Sequence, residues 1–435
     1  MTRPVRSVRR RKEGFMPQVI WLTGLLAASV TALAVFALRP QAGRLGLLDV
    51  AGGHKMHQGA VPVIGGIAMF LGLLAAVCVV PGAFGSVPAF MTGCVILVSM
   101  GAYDDAHGLS PKARLLGHVV VATLVFYFSP HGVRLETLGN FLGIGPVNLG
   151  PLALPVTVFV MVAAINAFNM MDGLDGLAGG IALATGVVLL VAAGTHVRPG
   201  LLPVLASLIG GTAAFLCFNA PTMLNRPVRT FMGDAGSTLI GFTLATVLVS
   251  ACQGDQAAFA PINSVWFLFL PATEVIQSTF RRVLLGRSPF APDRGHLHHQ
   301  LRAAGWSVRG IFIFFVATTI IADCVGLQLQ RAGAPEALSF VLLLATSGAL
   351  MAAIRAMVKR ARAVLIREEK HSVLADGIGD VPHVNDVEGF DRRHYVRGRS
   401  VFTTIENPNE PVRARFVTPQ FGPPDVEAQS DIDVA

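Results

Sequence analysis

Asn166-Ala-Phe-Asn-Met-Met-Asp-Gly-Leu-Asp-Gly-Leu177 lies between two apolar runs, and the rest of the chain is organised around it. Two amides and two carboxylates recur at every third residue, and residues three apart are neighbours on a helix, so the spacing predicts one polar strip. Amides and acids at a membrane boundary are costly to bury and usually serve a function. Helix capping is the alternative reading, since Asn and Asp favour helix ends. Capping explains one carboxylate but does not explain four polar groups at this spacing.

The composition indicates a membrane protein. The 435 residues are 53% hydrophobic and only 14% charged, with a mean hydropathy of +0.60, whereas soluble domains carry about 25% charged residues. The net charge of +8 would suit nucleic acid, but the basic residues cluster between apolar runs and form no aromatic-basic platform. Membrane topology explains them better, and no nucleic-acid partner is expected. None of the five cysteines forms a C-x-x-C pair, so neither a disulfide framework nor a zinc site is indicated.

The apolar runs predict an all-α fold, a polytopic membrane bundle of about eleven helices, or ten if one short run does not cross. The loop at 130–150, with its glycine turns, predicts a short hairpin-like element. We expect three parts: a basic N-terminal extension (1–16), a transmembrane domain (17–358) and a charged tail (359–435) that is helical at 359–370 and then largely disordered. The predicted segments are 17–38, 63–83, 88–103, 115–129, 151–168, 177–194, 201–219, 235–252, 261–280, 310–330 and 337–358.

The loops between these segments differ in basic content. Those on the side that bears the polar motifs hold most of the Lys and Arg, whereas the opposite loops hold only Arg134, Arg198 and Arg331. The positive-inside rule makes the motif-bearing side cytoplasmic. The basic cluster before Pro17 contradicts this arrangement. Two explanations stay open: translation starts at Met16, or the first segment does not span as drawn.

Five acids lie at the predicted cytosolic ends of helices, each close to a glycine: Asp104, Asp105, Asp172, Asp175 and Asp234. Converging acids with basic residues nearby indicate a metal-assisted phosphate site. Mg²⁺ takes oxygen ligands, often one or two carboxylates together with phosphate oxygens. Adjacent residues on a helix point in different directions, so Asp104 and Asp105 are expected to have different roles. Capping is the alternative for this pair and for Asp234, which begins an apolar helix between two glycines.

Two basic stretches complete the pattern. Ser288-Pro-Phe-Ala-Pro-Asp-Arg-Gly-His-Leu-His-His299 holds three histidines that are suited to phosphate, with a solvated loop as the alternative. Gly52-Gly-His-Lys-Met-His57 is a weaker signal, since turn chemistry explains it equally well.

In this order, the stretches from about Leu48 to Leu301 resemble the polyprenyl-phosphate N-acetylhexosamine-1-phosphate transferase family, glycosyltransferase family 4. Two patterns carry the resemblance: Asn-x-x-Asn-x-x-Asp-Gly-x-Asp-Gly and Asp-Arg-x-His-x-His-His. The second is similar to the branch that transfers N-acetylglucosamine-1-phosphate to undecaprenyl phosphate. The sequence departs from the family pattern at four positions. These are His54, where arginine is usual, Val63, where many members have arginine, Glu274, where aspartate is common, and His118, where glutamine is common.

The resemblance implies transfer of a sugar-1-phosphate from a UDP-N-acetylhexosamine to a polyprenyl phosphate, with release of UMP, as the first membrane step of cell-envelope polysaccharide synthesis. It implies a multi-pass protein of the bacterial inner membrane with a cytoplasmic site that uses Mg²⁺, or Mn²⁺ as an alternative. A homodimer is a further expectation. The implied catalytic residues are Asp104 and Asp105, and the implied metal ligands are Asp234 and Asp172. The implied substrate-binding residues are Lys55, Asn166, Asn169, Asp172, Asp175, Arg294, His296, His298 and His299.

Three alternatives stay open from the sequence. The activity could be that of the phospho-N-acetylmuramoyl-pentapeptide transferase branch, which has a different histidine motif. A transporter or flippase also places acids in a membrane, although here the acids lie at one face and no inverted halves are evident. Whether Asp104 removes a proton or only orients the lipid phosphate is equally undecided.

Overall fold

A computed structural model describes residues 5–50, 60–79, 87–129, 133–193, 201–221, 230–255, 257–286, 288 and 295–375. Within these residues nearly all regular structure is helical, which confirms the predicted all-α class. The helices are α1 (Val5–Leu38), α2 (Gly65–Val79), α3 (Pro88–His107), α4 (Pro111–Phe128), α5 (Ala153–Met171), α6 (Leu177–Ala193), α7 (Leu201–Asn219), α8 (Gly233–Ala251), α9 (Pro261–Trp266), α10 (Phe269–Leu284), α11 (Leu297–Ala303), α12 (Val308–Arg331) and α13 (Glu336–Ala375).

Every predicted apolar segment overlaps helical residues, but not every described helix is long and apolar enough to span a membrane. Seven described helices meet that standard. The described helix α2 has 15 residues, or about 22 Å at 1.5 Å per residue, which is less than a hydrocarbon core of about 30 Å. The described helix α6, with 17 residues, is also shorter than the hydrocarbon core. The chain is therefore a multi-pass membrane protein whose helices differ in length.

The predicted segment at 261–280 is wrong as a single helix. The structure divides it into α9 and α10, with a break at Phe267 and Leu268. Helix α10 is polar on its inner side, because Glu274, Gln277 and Ser278 are buried, while large apolar side chains such as Phe280 are exposed. This inverted pattern suits a helix that faces lipid and directs polar groups into the protein.

Helix α8 lies at the centre of the bundle, and every residue from Ala235 to Ala251 is buried. Glycines let neighbouring helices approach it closely, as small residues do at membrane helix interfaces. A Cβ atom on Gly66 of α2 would overlap the backbone of Gly236, and one on Gly101 of α3 would overlap Ala235. A Cβ on Gly241 would in turn overlap the backbone of α5 at Ala164. The N-terminal end of α8 is thus enclosed by α2 and α3, with α5 packed further along.

A short antiparallel ribbon fixes the entry to α8. Strand β1 (Leu48–Val50) pairs with β2 (Ala60–Pro62). The backbone at Phe231 bonds to Pro62 on one side and accepts from the Gly65 N–H at 2.9 Å on the other. The chain therefore reaches the start of α8 held between β2 and the first turn of α2.

The hairpin predicted at 130–150 is confirmed within residues 133–150. Thr137 pairs antiparallel with Asn148, and Gly139 and Gly143 adopt positive φ angles of 71° and 76°. The side chain of Gln253 bonds to the backbone of Glu136 and Thr137. This hairpin is thereby attached to the residue that follows the end of α8.

The chain divides into two compact units, Met1–Val364 and Leu365–Ala435. The first holds all the helices described above apart from the end of α13. Of the second, the structure describes the C-terminal part of α13 as far as Ala375, and the helix predicted at 359–370 is part of that helix. The predicted domain boundaries themselves stay a prediction.

Candidate active site

Asp105 caps a helix to which it does not belong. Its carboxylate accepts hydrogen bonds from the backbone N–H of Asp234 at 2.9 Å and of Ala235 at 3.4 Å. These N–H groups lie in the first turn of α8, where intrahelical partners are lacking. The alternative that Asp234 itself caps α8 is wrong, because the N-cap position is Met232 and its side chain makes no capping bond. Since Asp105 caps this end, the carboxylate of Asp234 is available for other contacts.

The carboxylate of Asp234 contacts two other helices. Its Oδ1 accepts from Asn169 Nδ2 on α5 at 2.7 Å, and its Oδ2 lies 3.1 Å from Arg114 Nη1 on α4. Asn169 Nδ2 also donates to Ser237 Oγ, one turn further along α8. Residues from three helices that are far apart in sequence therefore meet at the start of α8.

Arg114 joins the two acidic motifs. Its Nε lies 3.1 Å from Asp104 Oδ2, while its Nη1 contacts Asp234. Asp104 is held further by the backbone N–H of Leu109, which donates to Oδ1 at 2.6 Å. The helix that carries Arg114 is capped by Ser110, whose side chain accepts from the Ala113 N–H. The guanidinium thus contacts both carboxylates and offsets the repulsion between them.

The polar strip predicted over 166–175 is wrong beyond Met171, where α5 ends. Asp172 caps the helix C-terminus and Asp175 lies in the turn that follows, which Gly176 closes with a φ of +75°. The Gly176 N–H donates to Asn219 Oδ1 at 2.6 Å, and this bond holds the turn against α7. The glycines of the motif end the helix, so the acids reach the site from a turn. Asn166 points back to its own helix and donates to the Val162 carbonyl oxygen.

Asp172 lies in a strongly acidic environment. Burial raises the pKa of Asp172 well above its ordinary value, and the carboxylates of Asp234, Asp105 and Asp175 raise it further. A cation beside this carboxylate would relieve both effects. Within the described residues, no three His, Cys, Asp or Glu side chains form a metal site on their own. Asp172 and Asp234 nevertheless offer hard oxygen donors, which fits Mg²⁺ bound by one or two carboxylates with substrate phosphates as its other ligands.

The three histidines form one cluster with their rings stacked or tilted against each other. The rings of His296 and His298 are nearly parallel at a centroid distance of 5.7 Å, and those of His298 and His299 lie 4.2 Å apart. His298 is fully buried and packs against Gly173, where a Cβ atom would overlap its Nε2. Burial lowers the pKa of His298 well below its usual range, and His299 and His296 add to this. The histidine segment thus contacts the turn that carries Asp172.

Direct contacts, some of them through Arg114, bring together Asp104, Asp105, Asn169 and Asp234, and Asp172 and Asp175 are their acidic neighbours. His298 reaches the same turn at Gly173, and His296 and His299 pack against the ring of His298. Asn166 makes the bond within its own helix described above. Lys55 and Arg294 lie outside the described residues. The functional roles of all these residues stay predictions.

Sequence reasoning missed Arg114 and Glu274. Arg114 reads as an ordinary basic loop residue, although the Ser110-Pro111 pair signals a helix start that puts it on a first turn. In the sequence, Glu274 stands out only as a departure from the family pattern at one position, and no role was predicted for it. A signal was available, because an acid within an apolar segment is costly unless it has a partner.

Comparison with known proteins gives consistent matches. A family model described as "Glycosyl transferase family 4" matches residues 87–252. The chain is 33% identical over 301 residues to a Yersinia pestis protein, covering 68% of this chain and 80% of that protein. It is 32% identical over 319 residues to an Escherichia coli protein (72% and 85% covered) and 32% identical over 307 residues to a Haemophilus influenzae protein (70% and 86% covered). All three relatives are named undecaprenyl-phosphate alpha-N-acetylglucosaminyl 1-phosphate transferase.

Proposed function

The chain belongs to glycosyl transferase family 4, and on that premise we propose that it transfers N-acetylglucosamine-1-phosphate from a UDP-sugar to undecaprenyl phosphate, with release of UMP. It is a sugar-1-phosphate transferase like its relatives. The observation that carries the proposal is the meeting of Asp104, Arg114, Asn169 and Asp234 at the first turn of α8. Neither the pentapeptide branch nor a transporter is favoured by the relatives.

Both reactants of this transfer are anionic, so the barrier is charge repulsion and positioning. Arg114 supplies a positive charge between Asp104 and Asp234. The nucleophile is a phosphate oxygen that is already ionised at neutral pH, so Asp104 serves to orient it or to accept a residual proton. Asn169 fixes the rotamer of Asp234 through the 2.7 Å bond to Oδ1.

The proposed cofactor is Mg²⁺, with Mn²⁺ as an alternative. Asp234 and Asp172 would hold it, and Asp105 keeps Asp234 in place through the backbone bond. A bound Mg²⁺ supplies positive charge that offsets the charge developing on the phosphates. Asp175 and the histidine cluster, together with the basic residues Lys55 and Arg294, are proposed to bind the UDP-sugar.

The protein is proposed to lie in the bacterial inner membrane with this site at the cytoplasmic face. The bias of Lys and Arg toward the loops on the motif-bearing side supports that orientation. A homodimer is a further proposal, which the mass of the detergent-solubilised protein would decide.

The test is UMP release from purified protein with undecaprenyl phosphate and a panel of UDP-sugars. We expect release with UDP-N-acetylglucosamine and Mg²⁺, none after chelation, and recovery when Mg²⁺ or Mn²⁺ is restored. Release with a different UDP-sugar would correct the donor. A protein that releases UMP from no UDP-sugar but moves a solute across vesicles would refute the proposal and favour a transporter.

A further inference from the structure

Glu274 is a fully buried acid on α10 whose two carboxylate oxygens both have partners. Oε1 lies 2.8 Å from His296 Nδ1, and Oε2 accepts from the backbone N–H of Leu297 at 2.9 Å. Both partners lie at the start of α11, more than twenty residues further along the chain. A buried charge is costly and persists where it is paired and hydrogen-bonded. Glu274 therefore joins α10 to the histidine segment.

Neighbouring side chains hold the same segment without a charge. Gln300 Nε2 donates to the Gly295 carbonyl oxygen at 2.7 Å, and Gln277 Nε2 donates to that oxygen at 3.4 Å. These bonds fix the backbone just before His296. The contact with Oε1 is different in kind, because it fixes the imidazole ring itself.

The contact also distinguishes the two nitrogens of His296. A carboxylate only accepts hydrogen bonds, so Nδ1 carries the proton that lies between the ring and Oε1. No hydrogen bond from Nε2 to another described residue accompanies this contact, so Nε2 is the ring nitrogen that can contact a ligand. The ring is nearly parallel to that of His298, which packs against Gly173 beside Asp172. The ring of His296 thus belongs to the side-chain cluster that reaches the acidic turn.

We propose that Glu274 is a positioning residue for the transfer, which fixes the tautomer and orientation of His296 so that Nε2 faces the sugar-phosphate part of the donor. This inference rests on the proposed function. Carboxylates that orient a histidine from behind commonly change affinity or activity by about 10–100-fold when they are altered. We expect an effect of that size here, transmitted through His296.

Two substitutions separate this role from packing. Glu274→Gln keeps the shape but offers only one acceptor. If that acceptor stays with the Leu297 N–H, the amide NH₂ faces Nδ1 and favours the reversed tautomer. Glu274→Asp keeps the charge and loses one methylene. A positioning role through the carboxylate predicts that the Asp variant retains more activity than the Gln variant. A packing role predicts the opposite order.

A double-mutant cycle tests the route of the effect. In parent protein, Glu274→Gln should lower kcat/KM for the UDP-sugar about 10–100-fold. In a His296→Ala background the same change should have little further effect. Thr273→Val is the matched control, since it removes a buried hydrogen bond between α10 and Ser347 of α13 and does not contact His296. It should lower the unfolding midpoint while leaving kcat/KM unchanged and uncoupled from His296.

The outcomes are distinguishable. Equal losses from Glu274→Gln in both backgrounds, or parent activity in that variant, would overturn the inference while the proposed function stands. A parent protein that transfers no sugar-1-phosphate refutes the proposed function itself. Unfolding midpoints of all variants in detergent show whether a lost rate reflects a lost fold, and the Asp variant keeps the inference testable if the Gln variant does not fold.

Discussion

The guanidinium of Arg114 contacts carboxylates from two different helices, Asp104 on α3 and Asp234 on α8. Arg114→Ala should lower kcat/KM for transfer by about 10²-fold, because the preorganised charge at the reacting phosphates is lost. Arg114→Lys should retain more activity but fall short of the parent, since an ammonium lacks the fork that reaches both acids. Steady-state UMP release measures both variants.

Lys112→Ala is the control for this prediction, because Lys112 lies in the same first turn of α4 and is exposed. It should behave like the parent. If Lys112→Ala and Arg114→Ala lost activity equally, a general basic surface would explain the loss better than a contact with the two acids.

Asp104 and Asp105 are adjacent in sequence but differ in their contacts, so their asparagine variants should fail differently. Asp105 acts on the backbone of Asp234, so Asp105→Asn should weaken metal or nucleotide affinity and recover at high Mg²⁺ or UDP-sugar. Asp104→Asn should lower kcat and stay low at saturation, by about 10²–10⁴-fold if Asp104 accepts a proton. Saturation curves for both substrates decide this, and recovery of both variants to the parent kcat would reduce Asp104 to a binding role.

At this scale the sequence predicted which acids matter but not what each one touches. The spacing of Asn169 and Asp172 marked a site, and Asn169 does bind Asp234, 65 residues away. The cap that Asp105 provides to α8 could not be predicted, because local capping rules consider only residues near the helix they terminate. Contacts between helices depend on packing, and a single sequence does not contain packing explicitly.

Helices approach α8 through glycines, and this makes the helix sensitive to single methyl groups. Gly66→Ala places a Cβ atom on the backbone of Gly236, so α2 must move. Overpacking of this kind costs about 1–3 kcal/mol, and we expect a lower unfolding midpoint in detergent together with lost transfer. The displaced helix carries the backbone bonds that hold Phe231 and Met232.

Gly348→Ala is the matched control, since a Cβ atom there meets nothing within 4 Å. Gly348 lies within α13, where alanine should stabilise by about 0.4–1 kcal/mol by restricting the unfolded chain. Equal midpoints for the two variants would show that the close approach at Gly66 does not limit stability.

The elements were largely predictable because each apolar run is long and bounded by polar residues. The residues at which helices end were less predictable. The spacing from Asn166 predicts one helix through Asp175, but the helix ends at Met171 and the chain turns through Gly173 and Gly176. Hydropathy alone does not show that 261–280 is two helices, but Pro271 is a local signal for the break at Phe267 and Leu268. Its missing N–H cannot bond the Phe267 carbonyl, and proline is tolerated in the first turn of the helix that follows.

For the whole molecule, the relatives cover 68–72% of this chain, and the residues that meet at the site all lie before Ala303. From its charged composition, we expect the segment beyond Ala375 to contribute neither to stability nor to transfer. A chain that stops after Ala375 should therefore keep its unfolding midpoint and its transfer rate. UMP release and thermal unfolding in detergent, compared with the full chain, measure this directly.

A chain that stops after Arg331 provides the contrast, because it also removes α13. Ser339 of that helix accepts from the Trp266 indole N–H at 3.0 Å, and Ser347 lies 3.0 Å from the hydroxyl of Thr273. Removing α13 leaves these buried polar groups on α9 and α10 without partners, at about 1–3 kcal/mol each, so this shorter chain should be unstable.

If stopping after Ala375 abolished transfer at an unchanged unfolding midpoint, the charged tail would belong to the site and the domain assignment would be wrong.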